Sequence, residues 1–173
     1  MSDVSRVKNK IETEIRAQAP TNILRRLQKI GVRKIDEFSQ VDRYFMLREG
    51  FIFRIRDNKI FTIKCNIDKR DNGWYEWEDE VKDVKKLEDI LLRCGFKLFG
   101  IIVKKRRQYK YKDFEINLDN VKGLGRFIEI EIFDYNKDSG LKKIKDLMKE
   151  IGIKKLINKG YINIIREKGH AKR

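Results

Sequence analysis

Residues 114–133 read FEINLDNVKGLGRFIEIEIF. On both sides of the glycine-containing break KGLG (122–125), residue character changes at every second position. Ile116 and Leu118 alternate with Glu115, Asn117 and Asp119, and Ile128, Ile130 and Ile132 alternate with Glu129 and Glu131. Period two is the signature of a strand with one apolar and one polar face. The stretch therefore predicts two antiparallel strands joined by a tight turn. Each strand has an apolar face for a core and an acidic face, on which neighbouring carboxylates lie roughly 7 Å apart.

The same alternation runs through the rest of the chain. A first strand is predicted over about 7–17, VKNKIETEIRA, followed by a helix opened by Thr21, carrying Ile23, Leu24, Leu27 and Ile30, and stopped by Gly31. Strands follow at 41–47, 51–57 and 59–65, the last two joined at Asp57-Asn58. An Asn72-Gly73 turn leads into a strand over 73–81. Asp83 caps a second helix with Leu87, Ile90, Leu91 and Cys94 on its apolar side, ended by Gly95. A long strand over 97–111 turns at Lys112-Asp113 into the hairpin already described. A third helix presents Leu141, Ile144, Met148 and Ile151 and ends at Gly152; LINKGYINII then predicts a short helix before a frayed tail. The expectation is an α+β fold of eight strands and three principal helices in one domain, 1–173.

Composition narrows the chemistry. The only histidine, His170, lies in the basic tail, so histidine acid–base catalysis and histidine-rich metal sites are set aside. Any metal would rest on carboxylate oxygens, which suit Mg²⁺ or Mn²⁺. Cys65 and Cys94 form no CxxC pair and are expected as reduced, partly buried thiols. No apolar run approaches the ~18 residues of a membrane helix, and the start MSDVSRVKNK leads into no apolar segment. A cytoplasmic protein is expected, as monomer or homodimer. The net charge of +15 favours a polyanionic partner, although a thermophile's solvated surface would have the same composition.

The polar faces are sorted by sign. Glu12 and Glu14 precede Arg16; Arg54 pairs with Arg56; Thr62 with Lys64; Glu76, Glu78 and Glu80 share one face; Lys104 accompanies Arg106. A one-sided sheet facing water would alternate in the same way. If the sheet closes instead, the charged faces meet in a lumen, where carboxylates could hold cations while Arg and Lys hold phosphate oxygens.

Taken in order, these motifs resemble the triphosphate tunnel metalloenzymes, or CYTH superfamily, which includes class IV adenylyl cyclases, thiamine triphosphatases and inorganic triphosphatases. Glu12-Thr-Glu14-Ile-Arg16 stands where the family has ExExK. Asp42-Arg-Tyr44-Phe45, FRIR with Arg54 and Arg56, Thr62-Ile-Lys64, the acidic strand 76–80 and Lys104-Lys-Arg106-Arg-Gln-Tyr109 follow. The family pattern LDxVxGLGxFxEIE is met in full at 118–131. The resemblance spans about residues 8–135 and departs at Arg16, which stands in place of lysine; the two differ in reach and donor geometry.

The resemblance implies a closed antiparallel eight-stranded β-barrel with helices packed outside. It also implies a triphosphate substrate gripped by Arg16, Arg54, Arg56, Lys64, Lys104 and Arg106, and Mg²⁺ or Mn²⁺ held by Glu12, Glu14, Asp119, Glu129 and Glu131. Glu12, Glu14, Lys104 and Glu129 are the implied catalytic groups; Glu76, Glu78 and Glu80 are assigned no definite role. The implied reaction is triphosphate hydrolysis. The alternative is cyclic AMP formation from ATP, against which the His-Phe pair of class IV cyclases is missing before Glu12. Thiamine triphosphate, with Trp74 or Trp77 stacking on its ring, is a weaker candidate. A non-catalytic nucleic-acid binder using KKRRQYKYKDF (104–114) is disfavoured by the acidic pairs, which repel phosphates.

Overall fold

The computed structural model describes residues 11–46, 50–66 and 73–170. In chain order the elements are β1 (Ile11–Gln18), α1 (Ile23–Lys29), β2 (Arg33–Met46), β3 (Phe51–Arg56), β4 (Ile60–Asn66), β5 (Gly73–Glu80), α2 (Val84–Arg93), β6 (Lys97–Tyr111), β7 (Phe114–Val121), β8 (Gly125–Asp134), α3 (Lys137–Glu150), β9 (Leu156–Ile157) and α4 (Tyr161–His170). Local chemistry sets most boundaries. Asp57 and Asn58 take φ of 51° and 53°, the two left-handed residues of a type I′ turn, whose twist matches that of the strands it joins. The Asp83 side chain accepts from the Lys86 amide and opens α2.

Strands β5, β4, β3, β2, β6, β7, β8 and β1 pair in that order, all antiparallel, and β5 returns to β1 through Glu12↔Trp74 and Thr13↔Gly73. The sheet is a closed ring of eight strands, as expected. Closure leaves no edge strand to cover and turns one face of every strand inward. The ninth strand is an addition: β9 pairs with β1 at Arg16↔Ile157 and Ala17↔Leu156, beyond the point where β5 leaves it.

Helices α1 and α3 cover the outer face of β1, β7 and β8, with Ile15, Ile116, Ile128 and Ile130 packed against Leu27, Ile144 and Met148. Gly140 lets α3 approach β1, since a Cβ there would sit 3.0 Å from Thr13 Oγ1. Helix α2 covers β2–β4 through Leu91 against Phe45, Ile55 and neighbouring phenylalanines. A third cluster lies inside one end of the ring, where Ile102, Val121 and Phe127 meet Tyr161 and Ile162 of α4. Gly100 permits this approach, because a Cβ there would lie 2.4 Å from Ile162 Cδ1.

Several local expectations need correction. The first helix is capped at Asn22 rather than Thr21, with no side-chain capping bond. Ile90 is half exposed, and Cys94 is exposed rather than partly buried, because α2 rests on the sheet along a narrower line than its sequence suggests. β2 begins at Arg33 rather than 41, and the C-terminal stretch contributes a two-residue strand before its helix, giving four helices among the described residues. The start of the first predicted strand (7–10), Leu47, Asn72 of the Asn72-Gly73 turn and the last tail residues (171–173) lie outside the described residues. None of the described helices is long and apolar enough to cross a membrane.

Candidate functional site

Because inward positions recur every second residue, the register carries the charged pairs around the lumen. Arg16 faces Glu129 and Glu14 faces Glu131 across β1–β8; Arg106 faces Asp119 across β6–β7; Lys64 faces Glu76 across β4–β5. Glu12, Glu14, Arg16, Arg54, Lys64, Lys104, Arg106, Asp119 and Glu129 are all buried. They surround a cavity of about 470 Å³, whose lining also includes Arg56, Glu76, Glu78, Glu115 and Glu131. Asp119 lies just behind the lining, and Glu80 is on the outer surface paired with Lys59 at 2.8 Å.

The ion pairs fall into two groups. Toward the α4 end, Arg106 holds Asp119 through two bonds of 2.8 and 2.7 Å and reaches Glu129 at 2.7 Å. The other Glu129 oxygen lies 2.5 Å from Arg16 Nε. Burial alone would raise the pKa of Glu129, but Arg16 and Arg106 overcome it and hold the carboxyl far below its ordinary range. The Tyr161 hydroxyl donates to Asp119 Oδ2 at 2.9 Å, and its ring faces Arg16 and Lys104 at 4.9 and 5.5 Å. Lys104 Nζ is left 3.7 and 3.8 Å from Asp119 and Asp42. Burial, with Arg106 nearby, lowers its pKa to about 8.

At the other end the acids crowd together. Ligand oxygens of Glu12, Glu14 and Glu131 lie within 4.8 Å of one another. Burial raises the Glu131 carboxyl well above its usual range, and Glu129 and Glu115 add to the effect. Glu12 is likewise raised, by burial first, despite Lys64 at 2.7 Å. Its neighbour Glu76 is drawn down to about 2: burial opposes the shift, but Glu12, Lys64 and Arg54 outweigh it. An oxygen-only cluster in which burial disfavours the charged forms of Glu12 and Glu131 fits a hard divalent cation. Of the expected metal ligands, Glu12, Glu14 and Glu131 form this cluster, although Glu12 also accepts from Lys64 and Glu14 from Arg16 Nη2 at 2.8 Å; Glu129 and Asp119 lie outside it, bonded to guanidinium groups.

On the remaining strands, Arg54 Nη2 bonds Thr62 at 3.0 Å and Glu76 at 3.3 Å, and Arg56 Nε bonds Asp42 at 2.8 Å. Glu78 stands at the rim, its side chain 45% exposed. Trp74 is buried in the lining beside Glu12, whereas Trp77 faces outward. Glu115, Gln40 and Tyr161 also reach the site and were not among the residues expected there. Glu115 was legible from its place in the 114–121 alternation. Gln40 sits in the part of β2 where sequence alternation fails, and Tyr161 arrives only by the return of α4.

The CYTH domain profile matches residues 10–162. The chain belongs to the CYTH domain family. A Methanocaldococcus jannaschii protein provisionally named an adenylate cyclase is 33% identical over 169 residues, covering 89% of this chain and 97% of that protein. Among solved structures, a Pyrococcus horikoshii protein superposes with a TM-score of 0.79 at 31% identity, covering 89% of this chain and 98% of its own. A Hippeastrum protein, described as an adenylyl cyclase candidate with a dominant triphosphatase activity, shares the fold at TM-score 0.58 and 15% identity, covering 92% of this chain and 96% of that one. CYTH members are catalytic, as adenylyl cyclases or triphosphatases, and the family is in general metal-dependent.

Proposed function

We propose that the chain is a divalent-metal-dependent triphosphatase that hydrolyses inorganic triphosphate inside the tunnel. The observation that carries this reading is the meeting, in one lumen, of the Glu12–Glu14–Glu131 cluster with Arg16 of its own strand and cationic side chains from three other strands. Glu12, Glu14 and Glu131 would hold Mg²⁺ or Mn²⁺. Bound there, the ion supplies charge neutralisation for phosphate oxygens. Arg54, Arg56 and Lys64 approach the phosphate chain from one side of the ring, and Lys104, Arg106 and Arg16 from the other. Guanidinium forks match phosphate geometry, while Lys64 and Lys104 act as point charges. Asp119 and Glu129 hold Arg106 and Arg16 in place, so these groups need no reorganisation when charge develops on the leaving phosphate. Burial excludes bulk water and strengthens each of these interactions.

Adenylyl cyclase is the second reading, favoured by the name of the Methanocaldococcus relative. One assay separates the two: tripolyphosphate, ATP and thiamine triphosphate are incubated with EDTA, Mg²⁺ or Mn²⁺, and orthophosphate and cyclic AMP are both measured. Metal-dependent phosphate release from tripolyphosphate, lost in Glu131→Gln, is the expected result. Cyclic AMP formed from ATP without phosphate release would replace hydrolysis with cyclisation.

A further inference from the structure

Gln40 lines the tunnel at 5% exposure, and its Oε1 has no hydrogen-bond partner. A buried acceptor left unmade costs about 1–3 kcal/mol, so a ligand that supplies a donor is the natural complement. Phosphate oxygens in a fully ionised triphosphate only accept hydrogen bonds. Among charged neighbours that suit an anion, Gln40 is therefore matched to something else. Water has both the donor and the free lone pair. Gln40 is the Cα partner of Lys104 across β2–β6. The next inward residue on its strand is Asp42, whose buried Oδ2 is also without a hydrogen bond and lies 3.8 Å from Lys104 Nζ. A buried water needs two or more polar partners, and this corner of the lumen provides them.

We infer that Gln40 is a catalytic residue: its amide oxygen accepts a hydrogen bond from the attacking water and aims the water's lone pair at a terminal phosphorus. This inference rests on the hydrolase reading above. In the step, the water oxygen forms the new P–O bond and the bridging P–O bond breaks. Its electron pair leaves on pyrophosphate, and the two water protons end one on each product, orthophosphate and pyrophosphate. A carboxamide is suited to this role because it orients water without adding negative charge beside the phosphates.

The test compares Gln40→Met, which keeps length and loses the acceptor, with Gln40→Glu, which keeps an acceptor. Both are assayed as the full chain with tripolyphosphate and Mn²⁺ or Mg²⁺, alongside melting temperatures with and without tripolyphosphate. Gln40→Met is expected to lower kcat about 10- to 100-fold while KM stays within about twofold. Gln40→Glu is expected to recover much of kcat at a raised KM, which a merely structural role would not produce. Wild-type kcat in Gln40→Met, or a raised KM as its only change, would overturn the inference and leave the hydrolase reading standing. A wild-type chain that releases no phosphate would fail both. If Gln40→Met does not fold, a Gln40→Glu chain that folds but has lost kcat overturns the acceptor role by itself.

Discussion

The two ends of the tunnel are built from the same residue types and behave in opposite ways. Toward α4, Glu129 and Asp119 face guanidinium groups, and the strong pairing holds Glu129 ionised at any ordinary pH. Toward the opposite end, Glu12, Glu14 and Glu131 face one another, and burial pushes Glu12 and Glu131 toward the protonated form. The first arrangement is scaffold: removing one member strands a buried charge. The second gathers three acids beside two bases, Lys64 at Glu12 and Arg16 at Glu14: removing Glu131 relieves repulsion but weakens the cation site. Whether a buried acid supports stability or function is decided by which strand its register puts opposite it.

The largest expected effect breaks the scaffold. Asp119→Ala leaves Arg106 buried without its bidentate partner and is expected to cost about 3–5 kcal/mol, measured by urea denaturation. A loss below about 1 kcal/mol would mean that Glu129 alone satisfies Arg106. At the acid-rich end, Glu131→Gln should lower metal-dependent turnover by about a hundredfold without lowering the melting temperature of the metal-free protein. A large drop in that temperature would erase the contrast between the ends.

The pH dependence sharpens the contrast further. An acid whose folded pKa is raised contributes stability below its unfolded value, and that contribution is lost as pH rises through the folded value. The metal-free chain should therefore lose stability as pH rises through the raised pKa values of Glu12 and Glu131. Added Mg²⁺ should offset the loss, and Glu131→Gln should flatten it, as read by thermal melts across pH. At Lys104 the sign is reversed for substrate. Its ammonium loses its proton near 8, so KM for tripolyphosphate should rise as pH passes that value, and Lys104→Arg should remove the rise. The smallest effect is outside the tunnel. Glu80→Ala removes an exposed pair with Lys59 and should change stability by less than about 0.5 kcal/mol.

Much of this was legible locally. The strands of 114–133 appear as read, because alternation of isoleucine with acids leaves only one face for the core. The Asp57-Asn58 turn and the Asp83 cap appear as read, because each rests on short-range chemistry. Residues 33–40, RKIDEFSQ, were not recognised as strand. Six of the seven residues from Arg33 to Ser39 are exposed, so no core imposes alternation on them; pairing with β6 makes them strand. Gln40 was missed because it is the first buried residue after that exposed stretch and carries no charge, so nothing in the sequence marks it as inward. Tyr161 was missed because it enters the site on the returning α4, away from the strands whose alternation marks the other lining residues.

The sequence by itself determined which residues share a face, since side chains in a strand alternate whatever surrounds them. It also determined that acids and bases are sorted by strand, and so that this chain carries the CYTH pattern. Only the tertiary structure decided which acid meets which base. Ring closure through Glu12↔Trp74 and Thr13↔Gly73, the β1–β8 register and the return of α4 make Glu129 an ion-pair partner and leave Glu131 among acids. The two are adjacent on one face of one strand and alike in chemistry. Their different roles come from charges on other strands, and Coulomb interactions act through space rather than along the chain.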